Sequence, residues 1–78
     1  MNLDDIRFLE RVGHRVREKR VARGLTQADL ANQCALHRTF IGSVERGERN
    51  ISILNLRLIA KVLRNLLPYE APTNRRSD

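Results

Sequence analysis

With 78 residues and a formal net charge of +6, the chain has room for one domain with one modest core, and it favours a polyanionic partner: nucleic acid or an acidic membrane surface. Thirteen of its 15 basic residues are Arg, a planar and always-charged fork suited to phosphates and base edges. Cys34 is the only cysteine, which excludes an intramolecular disulfide and leaves no zinc-ligand spacing, and no apolar run approaches the roughly 20 residues of a membrane span.

Strand signals are nearly missing, whereas apolar residues recur at helical spacing, so the expected class is all-α. The first helix reads from about Asp5 to Ala22. Asp4 and Asp5 suit its positive N-terminus, and Arg20 and Arg23 its C-terminus. Ile6, Leu9, Val12 or Gly13, and Val16 form its apolar stripe, and Gly24 suits a left-handed stop.

Thr26-Gln27-Ala28-Asp29 then reads as a capping-box variant, with Thr26 as the cap and an acid three residues on. It opens a second helix that runs to about Gln33 and buries Ala28, Leu30, Ala31 and Cys34 to differing depths. The third helix starts near His37 and ends near Arg46, with Ile41 and Val44 inward and Gly47 as its stop. Gly47-Glu48-Arg49-Asn50 is a polar loop. Ser52 caps a fourth helix whose main stripe is Leu56, Ile59, Ala60 and Leu63. Leu66, Leu67, Pro68 and Tyr69 could form a short last helix with Pro in its first turn. The reading divides the chain into a domain over 1–70 and a short flexible tail over 71–78.

Only about four residues separate the second and third helices, the spacing of a helix-turn-helix whose second member enters the major groove. The outward positions of that member read as Arg38, Thr39, Gly42 and Ser43, with Arg46 at the far end. Arg38 is the foremost base reader, because a guanidinium can bond guanine at two acceptors. Thr39 and Ser43 can bond bases or phosphates, and Gly42 would let the helix approach closely. The plainer alternative is a surface helix with ordinary solvated polar residues. Phe8, Phe40 and Tyr69 are the only aromatics; that scarcity favours duplex over single-stranded targets, which are usually bound by stacking.

The run Gly24 to Ala31, followed by Leu36-His37-Arg38-Thr39-Phe40-Ile41-Gly42-Ser43-Val44-Glu45-Arg46-Gly47-Glu48-Arg49-Asn50, resembles the lambda repressor and Cro family. It is most similar to the controller proteins of restriction–modification systems. The resemblance covers roughly Val12 to Leu66. It implies a compact four- to five-helix lambda repressor-like domain that binds duplex DNA. It also implies that Gln27 clamps a phosphate at the second helix's N-terminus, beside Thr26, and that Arg38 and Thr39 read bases. Arg46, Arg49 and Asn50 fall where the family touches phosphates or bases. Phe40 either rests against the sugar–phosphate backbone or packs inward. Glu45 sits on the inward side, where an unpaired charge is costly, and the resemblance pairs it with Arg20 as a structural ion pair. His37 departs from the better caps usual at its position, and it either meets phosphate or is simply solvated. Arg64-Asn65 replaces the common Gly after the fourth helix.

A second stripe on the fourth helix, Leu54, Leu58 and Val62, lies roughly opposite the first, whereas a surface helix usually has one apolar face. A two-fold homodimer is therefore expected, with Leu54, Leu58, Val62, Leu66, Leu67 and Tyr69 as contact residues. The expected function is transcriptional regulation on an inverted-repeat operator with controller-like autoregulation. Alternatives are an antitoxin-type autorepressor and an adaptor that uses the fold for protein contacts. Activation would need a surface touching RNA polymerase, which no residue identifies. No catalytic group, cofactor, metal or membrane partner is expected, because His14, His37 and Cys34 form no nucleophile–base arrangement. The expected setting is a reducing cytoplasm, bacterial or phage.

Overall fold

The computed structural model describes residues 2–64. They form four helices and no strand: α1 (Leu3–Ala22), α2 (Gln27–Cys34), α3 (Arg38–Glu45) and α4 (Ile53–Leu63). Each starts at a side-chain cap. The Asn2 side chain accepts from the Asp5 amide at 2.9 Å, so α1 begins ahead of Asp5. Thr26 and Asp29 exchange bonds in a complete capping box, at 3.0 and 2.9 Å. Ser52 Oγ accepts from the Asn55 amide at 3.1 Å.

The stops are local too. Gly24, at φ +71°, lets the Leu25 amide donate back to Arg20 O at 3.1 Å. Gly47, at φ +72°, does the same after α3, with the Glu48 amide on Ser43 O at 3.0 Å. Ala35 closes α2 in the left-handed region at φ 56°, a conformation that a non-glycine residue adopts at a cost of roughly 1–2 kcal/mol. That reversal keeps the α2–α3 connection short enough for a helix-turn-helix.

The core gathers Val16 from α1, Leu30, Ala31 and Cys34 from α2, Ile41 and Val44 from α3, and Ile59, Ala60 and Leu63 from α4. Gly13 lets α1 lie directly on the end of α3. A Cβ there would meet Val44 O and would stand 2.6 Å from Glu45 O. Ile6, on the apolar stripe of α1, is exposed. The reason is length. α1 has 20 residues and α2 and α3 eight each, about 30 Å against 12 Å, so the first turns of α1 have little beneath them.

On α4 the second stripe is incomplete. Leu54 and Leu58 are exposed, at 70% and 40%, but Val62 is half-buried and packs against the core. Three residues on from Ile59 it lies only about 60° round the helix from that core residue, so it does not sit squarely opposite the core. Ile53, not singled out from the sequence, is 82% exposed beside Leu54. Leu66, Leu67 and Tyr69, the last helix and the 71–78 tail lie outside the described residues.

Candidate nucleic-acid interface

The α2–α3 turn leaves the first two residues of α3, Arg38 and Thr39, exposed. His37 precedes them as a true cap. Its backbone is extended, and Nδ1 accepts from the Thr39 amide at 3.3 Å. Accepting through Nδ1 places the ring proton on Nε2 when the imidazole is neutral.

Gly42 and Ser43 do not lie on that outward face. Both are buried. The Ser43 hydroxyl donates to Phe40 O at 2.8 Å and accepts from Arg49 Nε at 3.1 Å. Gly42 lies under two side chains: a Cβ there would stand 3.3 Å from Arg46 Nη1 and 3.4 Å from Gln27 Oε1. The wheel placed both residues outside because it cannot show that Gln27 from α2 and Arg49 from the loop fold over the middle of α3. Of the four positions expected to read bases, only Arg38 and Thr39 are therefore exposed.

A three-residue brace holds α3 in place. Arg20 Nε donates to Glu45 Oε2 at 2.6 Å, and Nη2 to Oε1 at 3.0 Å, a two-pronged pair. Arg20 Nη1 also donates to Leu25 O at 2.8 Å, which ties down the turn before α2. Only 3% of the Glu45 side chain and 11% of the Arg20 side chain remain exposed. The hydrogen bond and charge of Glu45 hold the Arg20 guanidinium more firmly protonated than usual, against the cost of burial. Gln27 joins the pair, with Nε2 donating to Glu45 Oε1 at 3.1 Å. Gln27 is the first residue of α2, where unpaired amides and the helix dipole favour an anion.

Thr26 stands beside it as the cap. Its backbone amide and then its hydroxyl bond Asp29 and hold that carboxyl below the usual range. Beyond α3, Arg49 lies 5.3 Å from the Phe40 ring centre, a cation–π contact. Phe40 itself is half-buried and packs against the core. Arg46 pairs with Glu48 at 3.0 Å, both well exposed, and Asn50 is exposed in the loop. Arg38, Arg46, Arg49 and Asn50 are thus exposed on α3 and just beyond it, while Thr26 and His37 cap the starts of α2 and α3.

Sequence reasoning missed the Gln27–Glu45 bond, the His37 cap and the Ser43–Arg49–Phe40 cluster. The cap was legible, since His37 stands two residues before the amide it caps. The Gln27–Glu45 bond joins separate segments and had no local signal, and the cluster depends on the loop folding Arg49 back onto α3. Among the described residues no group of His, Cys, Asp and Glu could hold a metal ion, and no helix is long and apolar enough to cross a membrane. His14 lies 3.4 Å from Glu18 on the α1 surface. Cys34 is buried in the core, where desolvation pushes its thiol up.

A helix-turn-helix family model matches residues 16–67. The chain is 43% identical over 67 residues to the control protein C.SmaI of Serratia marcescens, covering 82% of this chain and 80% of that one. It is similar to the crystal structure of the restriction-modification controller protein C.AhdI from Aeromonas hydrophila, at 43% identity and a TM-score of 0.72, over 76% of this chain and 96% of that one. A further match, at 41% identity and a TM-score of 0.68 over 72% and 74% of the two chains, is the controller protein C.Esp1396I, crystallised as a tetramer on its natural 35 base-pair operator.

Proposed function

This chain belongs to the helix-turn-helix family of restriction–modification controller proteins, and on that premise we propose that it is a sequence-specific transcriptional regulator that binds operator duplex DNA as a homodimer. The observation that carries the reading is the exposed pair Arg38 and Thr39 at the start of α3, presented by a brace that fixes α3 against α1 and α2. A single helix fits the major groove, so the residues at its outward N-terminal end meet the base edges first. Arg38 bonds the two acceptors of a guanine, and Thr39 offers a hydroxyl and a methyl to a neighbouring base.

Phosphates on either side are met by Thr26 and Gln27 at the α2 N-terminus, by the outward Nε2 of His37, and by Arg46, Arg49 and Asn50 beyond α3. Phe40 supports Arg49 from below. Two copies meet through the exposed apolar residues of α4, Leu54 and Leu58, with Ile53 beside them. A two-fold pair sets the two reading helices about 34 Å apart, one turn of DNA. The protein acts by binding and release, without covalent chemistry, and works in the cytoplasm where its operator is.

The test is selection of bound duplexes from a random pool. An inverted repeat with half-sites about 10 base pairs apart, centre to centre, is the expected result. A pool that stays random after several rounds contradicts it.

A further inference from the structure

The Arg20–Glu45 pair accounts for a buried charge, but it leaves unexplained why Gln27 bonds to it. A glutamine at a helix start has three free side-chain torsions, and fixing them on binding costs affinity. In this chain they are already fixed. Glu45 Oε1 holds Nε2 at 3.1 Å, and the space left by the missing side chain of Gly42 receives Oε1, 3.4 Å from where a Cβ would stand. Glu45 is itself immobile, held at both oxygens by Arg20. One Nε2 proton is therefore engaged by the carboxylate, and the second remains to donate from the first residue of α2.

We infer that Glu45 is a positioning residue for DNA: it holds the Gln27 amide ready, so that the remaining Nε2 proton and the first amides of α2 meet one phosphate oxygen without reordering. The ligand is a backbone phosphate of the duplex, and the inference rests on the DNA-binding reading above. The Arg20–Glu45 pair then sets affinity as well as stability. Because a phosphate carries no sequence information, the effect is the same on every duplex.

The test is a double-mutant cycle of Glu45→Gln and Gln27→Ala, with binding to operator and to random-sequence duplex. It is read at a temperature where circular dichroism shows every variant folded. Each single change is expected to weaken binding about fivefold on both duplexes, the size of one ordinary hydrogen bond, and the double no more than either single. A double variant weakened by the product, about twenty-fivefold, overturns the inference, as does a Glu45→Gln protein that binds like the unaltered one.

Should Glu45→Gln not fold, the unaltered protein decides by NMR of its side-chain amides. One Gln27 Nε2 proton is expected downfield of, and slower to exchange than, those of exposed Gln33. Gln27 signals matching Gln33 overturn the inference. Failure of the unaltered protein to bind any duplex overturns the DNA-binding reading and this inference together; binding with a multiplicative cycle overturns this inference alone.

Discussion

Arg20 Nε lies 2.6 Å from Glu45 Oε2 across the α1–α3 boundary, with the second prong of the pair at 3.0 Å. Removing one partner strands the other charge in a place with little water. Glu45→Ala is therefore expected to lose about 3–5 kcal/mol of folding stability. Urea melts at neutral pH check it.

Gly13 is the other fixed point of that boundary. A methyl there meets the carbonyls of Val44 and Glu45, which are backbone atoms and cannot rotate aside. Gly13→Ala gains helix propensity of roughly 1 kcal/mol but forces the helices apart, so a net loss of about 2 kcal/mol is expected. A thermal melt of the variant gives the sign directly.

Asp29 gives a pH dependence. Its folded-state carboxyl is held below the usual range by the Thr26 amide and hydroxyl. A depressed folded value contributes stability above the unfolded value, and that contribution is lost as pH falls through the folded one. Wild type should be more stable than Asp29→Asn at pH 7, with the gap closing between roughly pH 5 and pH 2. Paired melts across that range show it.

Arg64 ends α4 at φ 55° and ψ 154°, a region that favours glycine. The strain there is of order 1–3 kcal/mol, partly offset by the greater freedom glycine gives the unfolded chain. Arg64→Gly is expected to raise stability by about 1 kcal/mol, seen as a higher urea midpoint with an unchanged slope.

What the sequence disclosed divides along physical lines. Caps and stops are local, so Thr26, Ser52, Gly24 and Gly47 could be read from neighbours within three residues. Asp4 and Asp5 mark a helix N-terminus by charge and so place the start of α1 near Asp5, whereas the side-chain carbonyl of Asn2 caps it three residues earlier. The faces of α3 and α4 were only partly legible. A helical wheel ranks residues by angle, and angle does not reveal which neighbouring segment covers a face. Gly42 is covered by Gln27 and Arg46, and Ser43 is engaged by Arg49. Val62 packs against the core from the edge of the stripe. Gln27 and Glu45 are 18 residues apart, and their bond follows from packing α2 against α3, which no spacing rule encodes.

On the proposed function, the first turn of α3 enters the major groove with Arg38 foremost. The direct measurement is duplex selection from a random pool with wild type and with Arg38→Ala in parallel. The variant is expected to relax one base pair in each half-site, a guanine position, and to bind the original site more weakly by about 1–3 kcal/mol. An unchanged motif from Arg38→Ala would contradict it.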